Sequence, residues 1–194
     1  LVDWKRVDLL LRAFARSSAQ VRMRLVIIGN GAEEAALRDL ARQLNVLAPD
    51  DMSPGVAFAG WLSQAQCAEQ LRDSDCLVLP SILECGGAVV LEAMAMGKPV
   101  IATAWGGPLD YLDSSCGILV PPRSADALVE GLAAAMVRLA ASPQERAELG
   151  RAGRAKVLRE YDWDVKVARM LEIYAEAMRR SDRGSSDTRR NVRR

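Results

Sequence analysis

The chain has no histidine, few aromatic residues and no long apolar run, and each shortage narrows what it can do. Without histidine it lacks the commonest metal ligand and the usual general base near neutral pH. Aromatics are only 5% of the residues, while Ala, Val and Leu are abundant, a composition suited to helices packed closely on a sheet. Four cysteines, Cys67, Cys76, Cys85 and Cys116, form no C-x-x-C pair, so they indicate neither a zinc site nor a disulfide framework. They read as packing residues. No stretch of apolar residues is long enough for a membrane-spanning helix, and no signal peptide is legible at this N-terminus. The chain opens at Leu1-Val2 without an initiator methionine. The expectation is a cytoplasmic protein, and a piece of a longer one.

What the chain does have is 194 residues, half of them apolar, enough to bury a sizeable core. Its net charge of +1 is unevenly placed: the last sixteen residues, from Arg179, carry +5 and the body carries −4. The body therefore lacks the basic face that nucleic acid requires, and no nucleic-acid partner is expected. Residues 181–194 are polar and without periodicity, so a disordered basic tail is expected there. The plain reading of its arginines is a solvated terminus; the sharper one is attraction to anionic lipid, which would give peripheral contact with the inner face of a membrane.

Apolar spacing divides the rest into alternating elements. Helices are expected over 5–17, 32–45, from a Ser63 cap to Leu71, and over 87–96; strands are expected at 25–28, 56–59, 76–79, 100–103 and 117–120. From Ala125 the pattern is helical only, over 125–140, 143–160 and 163–180, with Trp163 and Tyr174 as packing anchors of the last helix. Strand–helix alternation predicts an α/β fold: a Rossmann-like, doubly wound parallel sheet with helices on both faces, followed by C-terminal helices. Such a sheet normally starts with a strand, whereas this chain starts with a helix. The first strand is therefore expected upstream, except for what Leu1-Val2 contributes.

Ligands bind such sheets beyond the carboxyl ends of the strands, where the glycine turns at 29–31, 86–87 and 106–107 fall. Gly106-Gly107 reads as a turn rather than a ligand contact. One segment combines several binding features: Glu84-Cys85-Gly86-Gly87-Ala88-Val89-Val90-Leu91-Glu92. A helix starting near Gly87 offers orphan N–H groups and the positive end of its dipole to an anion. Glycines let phosphate oxygens approach the backbone. Glu92 lies about 7.5 Å along the helix axis from its start, and carboxylates are good acceptors for sugar hydroxyls. A sugar, a diphosphate and a ribose in that order would meet Glu84, the helix start and Glu92. An E-x7-E spacing alone is weak; its context strengthens it.

That context is an ordered set: Lys5 ahead of a helix, Val26-Ile27-Ile28-Gly29-Asn30-Gly31, Phe58-Ala59-Gly60, Leu79-Pro80-Ser81, Glu84 to Glu92, Met96-Gly97-Lys98-Pro99-Val100, Gly106-Gly107, Gly117-Ile118-Leu119-Val120-Pro121-Pro122 and Tyr161-Asp162-Trp163. Over residues 1 to about 180 the chain resembles the C-terminal, donor-binding domain of a family 4 retaining glycosyltransferase of GT-B architecture. The resemblance implies one nucleotide-sugar-binding domain over 1–180 and the tail 181–194. The N-terminal domain that carries the acceptor site would lie outside this chain. It further implies that Lys5 reaches the donor diphosphate and that the amides of Ala88, Val89 and Val90 face it. Glu92 would accept from the ribose hydroxyls. Glu84, the residue nearest the chemistry, would hold the sugar with the N–H groups of Gly86 and Gly87. Gly29 and Gly31 would line the nucleotide cleft, and residues 56–61 would edge the base. The donor is a nucleotide sugar; no cofactor and no strictly required metal are implied, since lysine and helix-end amides can stabilise a departing diphosphate. Gly86 departs from the family, which commonly has a bulky or aromatic residue there. Two alternatives are compatible with the same residues: a non-catalytic nucleotide-sugar-binding module, and a sugar-nucleotide epimerase of the same architecture.

Overall fold

The computed structural model describes residues 1–50 and 53–191, with side chains described to residue 180. It divides into two compact units, Leu1–Ala155 and Lys156–Arg194.

In the first unit the expected alternation is present. After a 3₁₀ turn at Asp3–Lys5 come α1 (Val7–Ser18), β1 (Arg24–Ile28), α2 (Glu34–Gln43), β2 (Gly55–Gly60), α3 (Gln64–Asp73) and β3 (Leu77–Leu79). Then follow α4 (Ala88–Ala95), β4 (Val100–Thr103), α5 (Pro108–Tyr111), β5 (Gly117–Val120), α6 (Ala125–Ala141) and α7 (Pro143–Glu160), the last of which runs on into the second unit. Local chemistry sets several starts. Ser63 and Gln66 form a reciprocal capping box at α3, satisfying two orphan backbone donors. Ser124 Oγ accepts from the Ala127 N–H at α6, 3.1 Å. At α7, Pro143 occupies the first helical position and Ser142 Oγ accepts from the Glu145 N–H, 3.1 Å. α1 begins two residues later than its apolar spacing predicts, because Arg6 turns left-handed (φ 47°) to cap it. Arg6 holds Asp8 through two bonds, Nε to Oδ1 at 3.0 Å and Nη2 to Oδ2 at 2.8 Å. Burial alone would raise the Asp8 carboxyl, but the guanidinium outweighs it and holds Asp8 below the usual carboxylate range.

All strand pairs are parallel, but they form two sheets rather than the single one expected. β1 pairs with β2, from Arg24 opposite Gly55 to Ile27 opposite Phe58, with a slip that sets Ile28 opposite Gly60. The other sheet has the order β3-β4-β5. The opening residues tie the two together at their carboxyl ends. The Leu1 nitrogen donates to the Asn30 carbonyl, Leu1 O accepts from the Glu33 N–H (3.2 Å), and Trp4 O accepts from the Ile82 N–H (3.0 Å). Val2 is extended, but the 3₁₀ turn at Asp3–Lys5 follows at once, and the opening residues supply no ladder between β1 and β3.

One core nonetheless serves both sheets. Ile27 and Val56 from the first sheet cluster with Ile101 and Val120 from the second, around Leu11 and Phe14 of α1 and Leu128 and Leu132 of α6. α1 is the joining element: it lies against α2 on one side and α6 on the other, and α6 in turn covers β4 and β5.

The second unit contains the end of α7 and α8 (Trp163–Asn191). α8 continues past Ser181 to Asn191, through residues that composition places in a disordered tail. Once a helix is nucleated, each further residue adds a bond at modest cost; the final three residues of that expected tail lie outside the described ones. Trp163, Val167, Met170, Leu171, Tyr174 and Met178 make an apolar stripe at helical spacing. Trp163 and Tyr174 are 81% and 57% exposed, so neither anchors packing among the described residues. Periodicity tells that a face is apolar, not what covers it. Among the described residues no helix is long and apolar enough to cross a membrane.

Candidate functional site

The chain leaves β3 at Leu79, passes through the loop 80–87 and enters α4 at Ala88. Gly87 is the N-cap of α4, in left-handed geometry (φ 65°, ψ 46°) and with no capping side chain. A helix start without a side-chain cap leaves its first N–H groups for another acceptor. Val90 N donates to the Gly87 carbonyl at 2.8 Å, a bond of the first turn that Ala88 and Val89 do not make. Ala88 and Val89 stand at the first two helical positions, where no carbonyl of the preceding turn is available.

The loop is seated by the next glycine turn. Gly106 (φ 61°) lies so close to Glu84 that a Cβ there would overlap the Glu84 carbonyl oxygen, and a Cβ at Gly107 would overlap the Gly86 carbonyl. Gly107 N donates to the Glu84 carbonyl at 3.2 Å. A Cβ on Gly87 would come within 3.2 Å of Glu84 Cγ and 3.5 Å of Leu79 Cδ2. The turn after β4 thus forms the bed on which the loop after β3 rests. Sequence reading treats Gly106-Gly107 as a plain turn; the clue it offers is that two adjacent strands are both followed by Gly-Gly pairs. Gly86 differs from its neighbours: a Cβ there meets nothing within 4 Å, and its φ needs no glycine.

Glu84 is held from across the sequence. Lys5 Nζ lies 2.6 Å from Glu84 Oε2, with side-chain exposures of 39% and 12%. Lys5 ends the 3₁₀ turn before α1, and Glu84 sits in the loop after β3, so tertiary packing brings these two together. Glu92 lies on the exposed side of α4. Of the other expected cleft residues, Gly29 (φ 113°) follows β1 in open space, and its N–H is bonded to the Gly60 carbonyl at 2.7 Å. Gly31 is packed against the backbone of Leu1, which leaves no room for a side chain. Its closeness is to the chain's own opening segment.

Further features surround this region. Ser81 and Thr103, at the carboxyl ends of the neighbouring strands β3 and β4, bury hydroxyls that find no hydrogen-bond partner among the described residues. Trp4, Leu83 and Trp105 are exposed in the adjoining loops. A cleft of about 340 Å³ lies beside α1, lined among others by Asp3, Trp4, Arg6, Asp8, Glu33 and Ile82. The Glu84–Glu92 segment does not line it. The cysteines differ in reach: Cys116 is buried, Cys67 and Cys76 half-buried and Cys85 exposed beside Glu84. Burial, with help from Asp75, pushes the Cys76 thiol up to about 11. At pH 8 only about one Cys76 in a thousand is then a thiolate, the form that reacts. Cys85 is expected to take up iodoacetamide first, and Cys76 and Cys116 only on unfolding, as peptide mapping by mass spectrometry would show.

The strand order, the glycine turns beyond the strand ends and the uncapped helix start define a Rossmann-like parallel α/β domain whose ligand face is at the carboxyl ends of its strands. The chain belongs to the glycosyl transferases of group 1, whose family profile matches residues 1–156. A curated relative is the GDP-mannose-dependent monoacylated alpha-(1-6)-phosphatidylinositol monomannoside mannosyltransferase of Corynebacterium glutamicum: it is 33% identical over 181 residues, covering 89% of this chain and 44% of that protein. The D-inositol 3-phosphate glycosyltransferase of Saccharomonospora viridis is 35% identical over 185 residues, covering 90% of this chain and 40% of that protein. Among solved structures, sucrose-phosphate synthase of Thermosynechococcus elongatus superposes with a TM-score of 0.72 at 30% identity, covering 91% of this chain and 43% of that one. The chain therefore spans less than half the length of these relatives.

Proposed function

We propose that this chain is the donor-binding half of a family 4 retaining glycosyltransferase, one that moves a sugar from a nucleotide sugar to a glycan or glycoconjugate acceptor. The observation that carries the reading is the loop 84–87: it is held by Lys5, bedded on Gly106-Gly107, and ends in the uncapped start of α4. A diphosphate would rest against the N–H groups of Ala88 and Val89 and the Lys5 ammonium. Its sugar would lie toward Glu84, Gly86 and Gly87, and its ribose toward Glu92. Gly29 and the end of β2 would face the base. A nucleotide-sugar donor is in keeping with the GDP-mannose-dependent relative.

In the transfer, the bond between the anomeric carbon and the diphosphate breaks while the acceptor hydroxyl attacks from the same face, keeping the configuration. The hydroxyl proton passes to the departing phosphate oxygen. Lys5 and the helix-start amides stabilise the charge growing on that oxygen, and Glu84 orients the sugar. The acceptor would bind to a preceding domain of the full-length protein. A further parallel strand from that preceding stretch, set between β1 and β3, would give the order 3-2-1-4-5-6 of dinucleotide-binding sheets. Residues 1–180 would then form one donor domain. The arginines after it would rest against the cytoplasmic face of a membrane.

Two measurements on the full-length protein test this. Incubation with a panel of nucleotide sugars, followed by product analysis, separates transfer from epimerisation and from binding without turnover. Calorimetry should show Glu92→Ala binding a nucleoside diphosphate about tenfold more weakly, as expected for a lost hydrogen bond to a charged group. Unchanged affinity would count against the assignment of the ribose site.

A further inference from the structure

Lys5 and Glu84 carry opposite charges, one suited to a diphosphate and the other to a sugar, yet they are joined at 2.6 Å. We propose that Lys5 is a bridging residue: its ammonium holds the Glu84 carboxylate on one side and offers its remaining N–H donors to the diphosphate on the other, so that an acid and a dianionic leaving group share one site. The inference rests on the donor-site reading above and adds to it a dependence of each contact on the other.

Three observations carry it. First, an ammonium has three donors and the ion pair uses one, which leaves two for phosphate oxygens. Lysine is a point charge on a flexible stem, able to serve two acceptors that lie in different directions. Second, the backbone that carries Glu84 is fixed in place. Its carbonyl is bonded to Gly107 N, and its backbone lies against Gly106 too closely to admit even a methyl group. Third, the Glu84 side chain is only 12% exposed, so water screens it poorly, and Lys5 is its one ion-pair partner among the described residues. A diphosphate at the start of α4 would therefore meet a nearby, weakly screened negative charge unless a cation stood between them. Lys5, being 39% exposed, is open to the solvent side from which a donor would come.

The consequence is non-additivity. If Lys5 only bound phosphate, its loss and the loss of the Glu84 charge would act independently. If it bridges, removing the lysine exposes the donor to Glu84, and removing the acid then relieves the repulsion. The test is a double-mutant cycle on the full-length protein, titrated calorimetrically with uridine diphosphate and with guanosine diphosphate. Lys5→Met is expected to weaken binding about thirtyfold or more, and Glu84→Gln to change it by less than about threefold. The double variant Lys5→Met/Glu84→Gln is expected to bind about tenfold more tightly than Lys5→Met alone. Lys5→Arg should recover part of the loss, since it keeps the charge. Melting temperatures of each variant, with Lys5→Gln as a second neutral replacement, show whether the fold is kept.

A double variant no tighter than Lys5→Met would overturn the bridge and leave Lys5 a simple phosphate ligand. The donor site itself would still stand if Glu92→Ala weakened binding. No binding of either nucleotide by the wild-type protein would overturn the donor site and the bridge together.

Discussion

Gly106→Val is expected to destroy donor binding and to lower the melting temperature of the full protein by roughly 6 °C or more. Two costs combine at this position. The backbone is left-handed (φ 61°), which penalises any L-residue by about 1–2 kcal/mol and a β-branched one more. A Cβ would also overlap the carbonyl oxygen of Glu84, and because that atom is backbone, no side-chain rotation can relieve the overlap. The loop must lift, carrying Glu84 away from Lys5 and Gly87 away from the start of α4. A total of about 3 kcal/mol follows, near the upper range for ordinary single substitutions. Gly86→Ala is the control, because its Cβ would meet nothing within 4 Å and its backbone is not left-handed. Its melting temperature should match wild type within about 2 °C. Differential scanning calorimetry compares the two. Equal stability of Gly106→Val and wild type would show that the loop does not rest on this turn.

Phe14→Ala should cost about 3–5 kcal/mol, the range for emptying a buried aromatic site. Phe14 is almost completely buried and lies in the cluster that takes residues from both sheets. The helix that carries it joins α2 to α6, so a cavity there loosens the link between the β1–β2 half and the β3–β5 half. Urea unfolding monitored by circular dichroism gives the loss directly. The prediction extends to function: Lys5 precedes this helix and Glu84 follows the other sheet, so nucleotide affinity should fall along with stability. Leu109→Ala, at a half-exposed position, should change stability by less than about 0.5 kcal/mol. If Phe14→Ala behaved like Leu109→Ala, the shared core would not be what holds the two sheets.

Much of this arrangement is readable in the sequence. The five strands and the helices between them follow from short apolar runs bounded by glycine and proline, and the helix at 143–160 from Ser142-Pro143. The α4 start at Gly87 is legible as well, because a glycine turn ahead of an apolar run is a local signal. The left-handed Arg6 is not legible, since arginine is an ordinary helix former and only its bond to Asp8 and the turn before it settle its geometry. Nor is the use of the Val90 N–H by Gly87, which depends on how tightly the first turn of α4 winds.

The order of residues along the chain decided what could be made: parallel strands, glycine turns at their carboxyl ends, and an acid on each side of a helix start. Such features depend on neighbours a few positions apart, and backbone sterics and side-chain periodicity act at that range. Folding in three dimensions decided which of those features meet. It set Lys5 on Glu84, laid the loop after β3 on the glycines after β4, and gave two sheets one core. Contacts between residues tens of positions apart leave no periodic trace, because their closeness comes from packing and not from spacing.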